Sequence, residues 1–225
     1  IDQPLQDKAK VFEYWDDFED GNLLKWSVDA GNWREEDGLL KAENGGAQIR
    51  NKLINITDTE VESRINFINS NQYVGIFTKS TDINNFYLFD RDGNANDWRL
   101  YQYLNGWNFL ANNQNFASPK NNDVLRIKSV GNKLITHFNN QEIFSMKISD
   151  GIAGNQVGLF VNGGNSYTEF DYFLVRKAVE NEPVLSLGNE ITVTPSTTST
   201  PTPTLTFTPT PSPSPIPSPS PIPTL

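Results

Sequence analysis

The side chains that set the chemical question fall on alternating positions. Glu62, Arg64 and Asn66 share one parity of a stretch, Phe77 and Lys79 share one of the next, then Tyr87, Phe89 and Arg91, then Arg99, Tyr101 and Tyr103. Aromatic rings offer flat apolar faces, while guanidinium and carboxylate groups form planar, bidentate hydrogen bonds. Together they suit a ligand with C–H faces edged by hydroxyls. An ordinary solvated sheet face, with cross-strand charge and tyrosine pairs, is the alternative. Covalent chemistry has less to draw on. The single histidine, His137, has no nucleophile motif beside it, and the absence of cysteine excludes a thiol nucleophile, a thiolate metal site and a disulfide scaffold. No phosphate loop, dinucleotide turn or zinc-protease helix occurs.

Strands must position these residues, because two-residue alternation is the main period of the chain. Residues 59–67 alternate apolar and polar as a half-buried strand does, and similar runs span 73–78, 86–91, 98–104, 124–130, 133–138, 142–148, 156–161 and 168–175. Shorter candidates span 26–28, 39–42 and 47–50. Turn signals divide them: Asp37-Gly38, Asp92-Gly93-Asn94, Asn105-Gly106, Gly131-Asn132, Asn139-Asn140 and Asn162-Gly163-Gly164. No segment keeps a helical apolar stripe. Many short strands with regular turns predict an all-β, antiparallel two-sheet sandwich. Val61, Ile65, Val74, Ile76, Phe86, Leu88 and Leu100 are its expected inward residues. Trp26 and Trp33 are expected to pack in the core or at an edge. Trp107, beside the Asn105-Gly106 turn, is placed on the rim or over the core.

The chain divides by composition into an N-terminal extension (1–10), a sandwich domain (11–178) and a Pro/Thr/Ser-rich linker (179–225), with residues 184–193 ambiguous between a last strand and the linker. The tail, nearly all Thr, Pro and Ser from residue 192, favours extended polyproline II and a spacer role, with Thr and Ser as expected O-glycosylation sites. A net charge of −9 without a Lys/Arg run argues against nucleic acid. No apolar run reaches the ~20 residues that span a bilayer. A secreted or cell-surface monomer tethered to other modules is expected.

Several motifs, in order, carry a family resemblance. Asp16-Asp17-Phe18-Glu19-Asp20-Gly21, then Trp26, Trp33 and Asp37-Gly38-Leu39-Leu40, resemble the opening of concanavalin-like (laminin-G-like) jelly rolls. Val74-Gly75-Ile76-Phe77-Thr78-Lys79 and Asn85-Phe86-Tyr87-Leu88-Phe89 resemble their centre. Leu125-Arg126-Ile127, Gly131-Asn132-Lys133, Val157-Gly158-Leu159 and Phe170-Asp171-Tyr172-Phe173 continue the series. Within that superfamily the chain is most similar to carbohydrate-binding modules of the levan- and fructan-binding type, which accompany bacterial polysaccharide-degrading enzymes.

The resemblance implies a polysaccharide or oligosaccharide partner held on an outer sheet face; by strand parity the expected contacts come from among Glu62, Arg64, Lys79, Tyr87, Arg91, Arg99, Tyr101 and Tyr103. It also implies a structural Ca²⁺ bound by Glu19 and Asp171 with backbone carbonyls. Relatives include laminarinase-type glycosidases, which set two carboxylates on one strand. The nearest string here, Glu169-Phe170-Asp171-Tyr172-Phe173-Leu174, has Leu174 where the acid is needed, and Glu13, Asp16 and Glu19 lack a matching context. The expectation is therefore a non-catalytic carbohydrate-binding module that is not itself an enzyme, with a surface adhesion or structural domain as the alternative and a hydrolase or lyase as the third reading.

Overall fold

The computed structural model describes residues 12–68, 73–93, 95, 97–117, 119–149, 151–163 and 167–180. The expected N-terminal extension up to residue 10 and the linker beyond residue 180 lie outside them. Thirteen strands follow in chain order: β1 (Tyr14–Asp16), β2 (Trp26–Glu36), β3 (Leu39–Asn51), β4 (Thr59–Ile68), β5 (Tyr73–Asp82), β6 (Asn85–Asp92), β7 (Asp97–Leu104), β8 (Trp107–Asn113), β9 (Val124–Val130), β10 (Lys133–Phe138), β11 (Gln141–Lys147), β12 (Gln156–Asn162) and β13 (Tyr167–Lys177). No helix occurs among the described residues. The short candidates at 39–42 and 47–50 are one strand, β3. The strands at Tyr14 and Trp107 were not foreseen, because neither segment alternates cleanly.

Every pairing is antiparallel, and the hydrogen-bonded path runs β11-β10-β9-β4-β13-β3-β12-β5-β6-β7-β8, with β1 on β13 and β2 on β3. The path folds over itself into two layers. Trp98 of β7 lies 4.6 Å from Phe138 of β10, and Phe89 of β6 lies 6.2 Å from Phe144 of β11. The two ends of the path thus close on one core of Ile49, Val61, Ile65, Ile76, Phe89, Leu100, Ile127, Leu159, Phe170 and Phe173 with their neighbours. Between the layers, the hydroxyls of Thr59, Thr78 and Ser129 bond one another at 2.8–3.2 Å, so three buried polar groups are satisfied together. Gly158 lets β12 lie close on β3. A methyl group there would stand 2.0 Å from the Ile49 carbonyl and 2.5 Å from the Phe77 ring.

The residues before β2 are fastened by buried acids. Asp16, 2 % exposed, accepts from the Tyr14 hydroxyl at 2.5 Å and from Trp26 Nε1 at 3.0 Å. Trp26 in turn packs edge-on against Phe173 of β13. Lys25 reaches Asp20 at 2.7 Å and Asp16 at 3.7 Å, and Glu35 of β2 accepts from the Asn22 amide. Burial, then the hydrogen bond with Asp20 and the charge of Asp16, pushes the Glu35 carboxyl up to about 8.

A folded pKa above the ordinary 4.5 makes the folded state hold its proton longer than the unfolded chain. That contribution is whole at pH values below the unfolded pKa and is lost as pH rises through the folded one. The melting temperature is therefore expected to fall between pH 5 and pH 9, and the fall to be shallower in Glu35→Gln. Parallel pH–melting curves for the two proteins check this; identical slopes would contradict it.

Candidate functional site

The pairing of β6 with its two neighbours decides what faces outward. Phe89 stands opposite Ile76 of β5 and Leu100 of β7, and all three join the core. Leu88 then stands opposite Phe77 and Tyr101, and Asp90 opposite Gly75 and Arg99, on the outer face. There Phe77, Phe86, Leu88 and Phe160 form a second apolar cluster, with Tyr73, Tyr101 and Tyr103 packed against it. β8 returns alongside β7 and completes the surface. Trp107 pairs with Tyr103 at 4.5 Å between ring centroids, and Phe109 with Tyr101 at 5.4 Å. Trp107 and Phe109 are each 52 % exposed, so this aromatic ladder is open to a partner.

A charged clasp lies beside the rings. Arg99 donates through Nε and Nη2 to the two oxygens of Asp90, at 3.1 and 2.8 Å, and through Nη1 to Asp92 at 2.8 Å. Its guanidinium sits over the rings of Tyr73 and Tyr101, 4.8 and 5.0 Å from their centroids. Gly75 makes room for the clasp, since a methyl group there would stand 2.8 Å from Asp90 Cβ. Burial pushes the Asp90 carboxyl up to about 6, although Arg99 pulls it the other way. Above these groups opens a cavity of about 340 Å³, lined by Tyr73, Asp90, Arg99, Tyr101, Trp107, Phe160 and Asn162.

Of the residues singled out in the sequence, this face gathers Arg99, Tyr101 and Tyr103. It does not gather the others. Glu62 and Arg64 point outward from β4, in the opposite layer. Glu62 accepts from Arg126 at 2.8 Å and from the Tyr172 hydroxyl at 2.7 Å, and Arg64 donates to Asp171. Tyr87 faces the core side, with its hydroxyl 3.1 Å from both the Ser149 carbonyl and the Gln102 amide. Arg91, opposite Val74 and Trp98, is 5 % exposed and points the same way. Lys79, 7 % exposed, lines a different cavity with Gly131, Asn132 and Ile148. The expected convergence fails on β6 because Phe86-Tyr87-Leu88-Phe89 is apolar on both parities. Alternation then names no inner face, and the expected order is inverted: Tyr87 and Phe89 are inside, Phe86 and Leu88 outside. Asp90 was missed through the same inversion, and Tyr73, Phe160 and Asn162 because they come from distant strands.

Two of the remaining acids, Glu169 and Asp171, have structural partners. Glu169 accepts from Asn66 at 2.7 Å. Asp171 answers Arg64, so a cation of the chain itself already meets its charge. Glu19 stands over the turn between β2 and β3, where a methyl group on Gly38 would lie 2.6 Å from its carboxylate. The described residues contain no group of three or more His, Asp or Glu side chains suited to a metal. Two carboxylates alone are a partial donor set for Ca²⁺, one that backbone carbonyls would have to complete.

No family model matches the chain, and no curated protein matches it. Solved structures do. A carbohydrate-binding module, CBM66, from Bacillus subtilis is 14 % identical with a TM-score of 0.58, over 69 % of this chain and 97 % of that one. The LamA catalytic domain from Zobellia galactanivorans is 12 % identical with a TM-score of 0.57, over 74 % and 97 %. A β-1,3-1,4-glucanase (lichenase) from a mouse hindgut metagenome is 13 % identical with a TM-score of 0.58, over 73 % and 99 %. The fold is thus the concanavalin-like jelly roll, as the ordered motifs implied. The expectation that the chain is not an enzyme is overturned. Glucanases share this architecture across nearly their whole length, so the fold gives no ground for that exclusion, and the missing Glu at Leu174 bears on only one strand.

The two arginines give a contrast that can be measured. Arg99→Ala strands Asp90 in a buried position and is expected to cost about 3–5 kcal/mol of stability. Arg64→Ala removes a half-exposed pair and is expected to cost about 0–1 kcal/mol. Urea unfolding of both variants checks the difference; equal losses would contradict it.

Proposed function

We propose that this domain engages carbohydrate through the cavity on the outer face of β5, β6, β7, β8 and β12. The observation that carries the reading is the cavity wall, in which half-exposed Trp107 offers a ring face and Tyr101 and Tyr73, each with Arg99 over one face, flank the Arg99–Asp90 clasp. A sugar ring matches both: its C–H face stacks on an aromatic ring, and adjacent hydroxyls bridge guanidinium, carboxylate and the Asn162 amide. The similar structures are named as a carbohydrate-binding module and glucanases, and one is a LamA complex with laminaritriose and laminaritetraose, which supports the ligand class. Secretion and tethering through the Pro/Thr/Ser run of 192–225 complete the reading.

Glycoside hydrolysis is a second reading, favoured by one observation. Asp90 and Asp92 lie two apart on β6, both held by Arg99, with the Asp90 carboxyl pushed up to about 6 at the cavity floor. Most glycoside hydrolases set two carboxyl groups on either side of the bond; of these two, Asp90 lines the cavity. Release of reducing ends from a bound polysaccharide, abolished in Asp90→Asn, would establish it; no release from any bound glycan would remove it.

Screening against fructans, pectins and β-glucans, followed by calorimetry, tests binding. Trp107→Ala and Tyr101→Ala are each expected to weaken affinity roughly tenfold, about 1.4 kcal/mol, while Arg64→Ala leaves it unchanged. Binding that survives both aromatic changes would place the site elsewhere.

Calcium belongs to the proposal as a clip rather than a reagent. Glu19 and Asp171 would hold it, with Arg64 displaced from Asp171, tying the segment after β1 to β13. A ligand bound only by the folded state raises the melting temperature. Chelator is therefore expected to lower it and added Ca²⁺ to restore it, and an unchanged melt would remove the clip.

A further inference from the structure

The outer face of the opposite layer carries a cationic recess that the carbohydrate reading does not use. On β9, β10 and β11, Lys128, Lys133 and Lys147 share one face. Lys133 is the register partner of Lys147, and Lys128 stands opposite Ile135, two residues along from Lys133. Like charges set directly across an antiparallel pair destabilise it, so this arrangement carries a cost that an anion would relieve. The three lysines line a cavity of about 190 Å³ with Val130, Ile135, the Gly131–Asn132 turn and Glu180. Lys128 is 7 % exposed, whereas Lys133 and Lys147 are exposed. On the other side of the same turn, buried Lys79 lines a second cavity of about 270 Å³.

Among the described residues, Glu60 stands directly opposite Lys128 in register, but its carboxylate also meets Arg126 and Arg176. Glu180 lines the first cavity, and Asp58 accepts from the Gly131 amide at 2.8 Å. In a chain with 27 acidic and 18 basic side chains, carboxylate partners are plentiful, yet Lys79, Lys133 and Lys147 form no ion pair with a described residue.

We propose that this recess is an oxyanion site, taking a sulfate ester or uronate carboxylate carried on an acidic glycan. The glycan carrier rests on the carbohydrate reading; the anion site itself does not. A single confined cluster on a protein of charge −9 suits isolated anionic substituents along a chain better than a continuous polyphosphate, which needs a basic stripe.

The test uses the full chain with dextran sulfate, polygalacturonate, uncharged dextran and inorganic polyphosphate as probes. Wild type is expected to bind dextran sulfate or polygalacturonate, and the exposed double variant Lys133→Gln/Lys147→Gln to bind at least tenfold more weakly. Inorganic sulfate should raise the melting temperature of wild type and not of the variant, which also shows that the variant folds. Trp107→Ala should lose neutral-glycan affinity and keep dextran sulfate, so failure of the carbohydrate reading and failure of this one are distinguishable. Equal dextran sulfate binding by wild type and double variant overturns the site. Binding of uncharged dextran as tight as of dextran sulfate, or loss of dextran sulfate in Trp107→Ala alone, does the same. Tighter binding of polyphosphate than of either acidic glycan overturns the glycan assignment.

Discussion

The register of β6 between β5 and β7 is the constraint on which the outer face depends. With Phe89 set opposite Ile76 and Leu100, one set of side chains is committed to the core and the other to the surface. A slip of one residue would turn Asp90 inward and Phe89 outward, since strand side chains alternate with period two. The core enforces the observed choice, because Phe89 also meets Trp98 and Phe144. Arg99 reinforces it from outside, reaching Asp90 and Asp92 only in this register.

That commitment explains why the site mixes apolar and ionic character. The outer face of β5 and β6 carries Phe77, Phe86 and Leu88, which need cover, and the aromatic residues of β7 and β8 supply it. Trp107 and Phe109 cover the cluster yet stay half exposed, which leaves flat ring surface available. The ion pair adjoining them is nearly buried, and its guanidinium is sandwiched by rings that also restrict its motion. Groups held in this way lose little freedom when a ligand arrives, which favours binding.

The two outer faces are chemically distinct. The β5–β8 face is aromatic with Arg99 clasped between Asp90 and Asp92. The β4–β9–β13 face is laced by Arg126, Glu62, Arg64 and Asp171, and passes on β9–β11 into the lysine recess. Glu62 and Arg64 have the residue types of a sugar site, yet they meet each other's neighbours across strands. Their charges are answered within the sheet, and in partly exposed positions such pairs contribute little.

The alternation of 59–67, the turn dipeptides and the ordered motifs determined an antiparallel sandwich, and the outward placement of Arg99, Tyr101 and Tyr103, because Trp98 and Leu100 mark the inner parity of β7. They could not determine β6, where four successive apolar residues leave both faces equally apolar. Nor could they place Tyr73, Phe160 and Asn162, which come together only because β5 and β12 lie side by side. Sequence spacing reports which face a residue takes within its own strand. Which strands become neighbours, and which layer each joins, is decided by the folding-over that packs Trp98 on Phe138. For that reason Glu62 and Arg64, matched to Tyr101 by type and parity, stand on the other side of the protein.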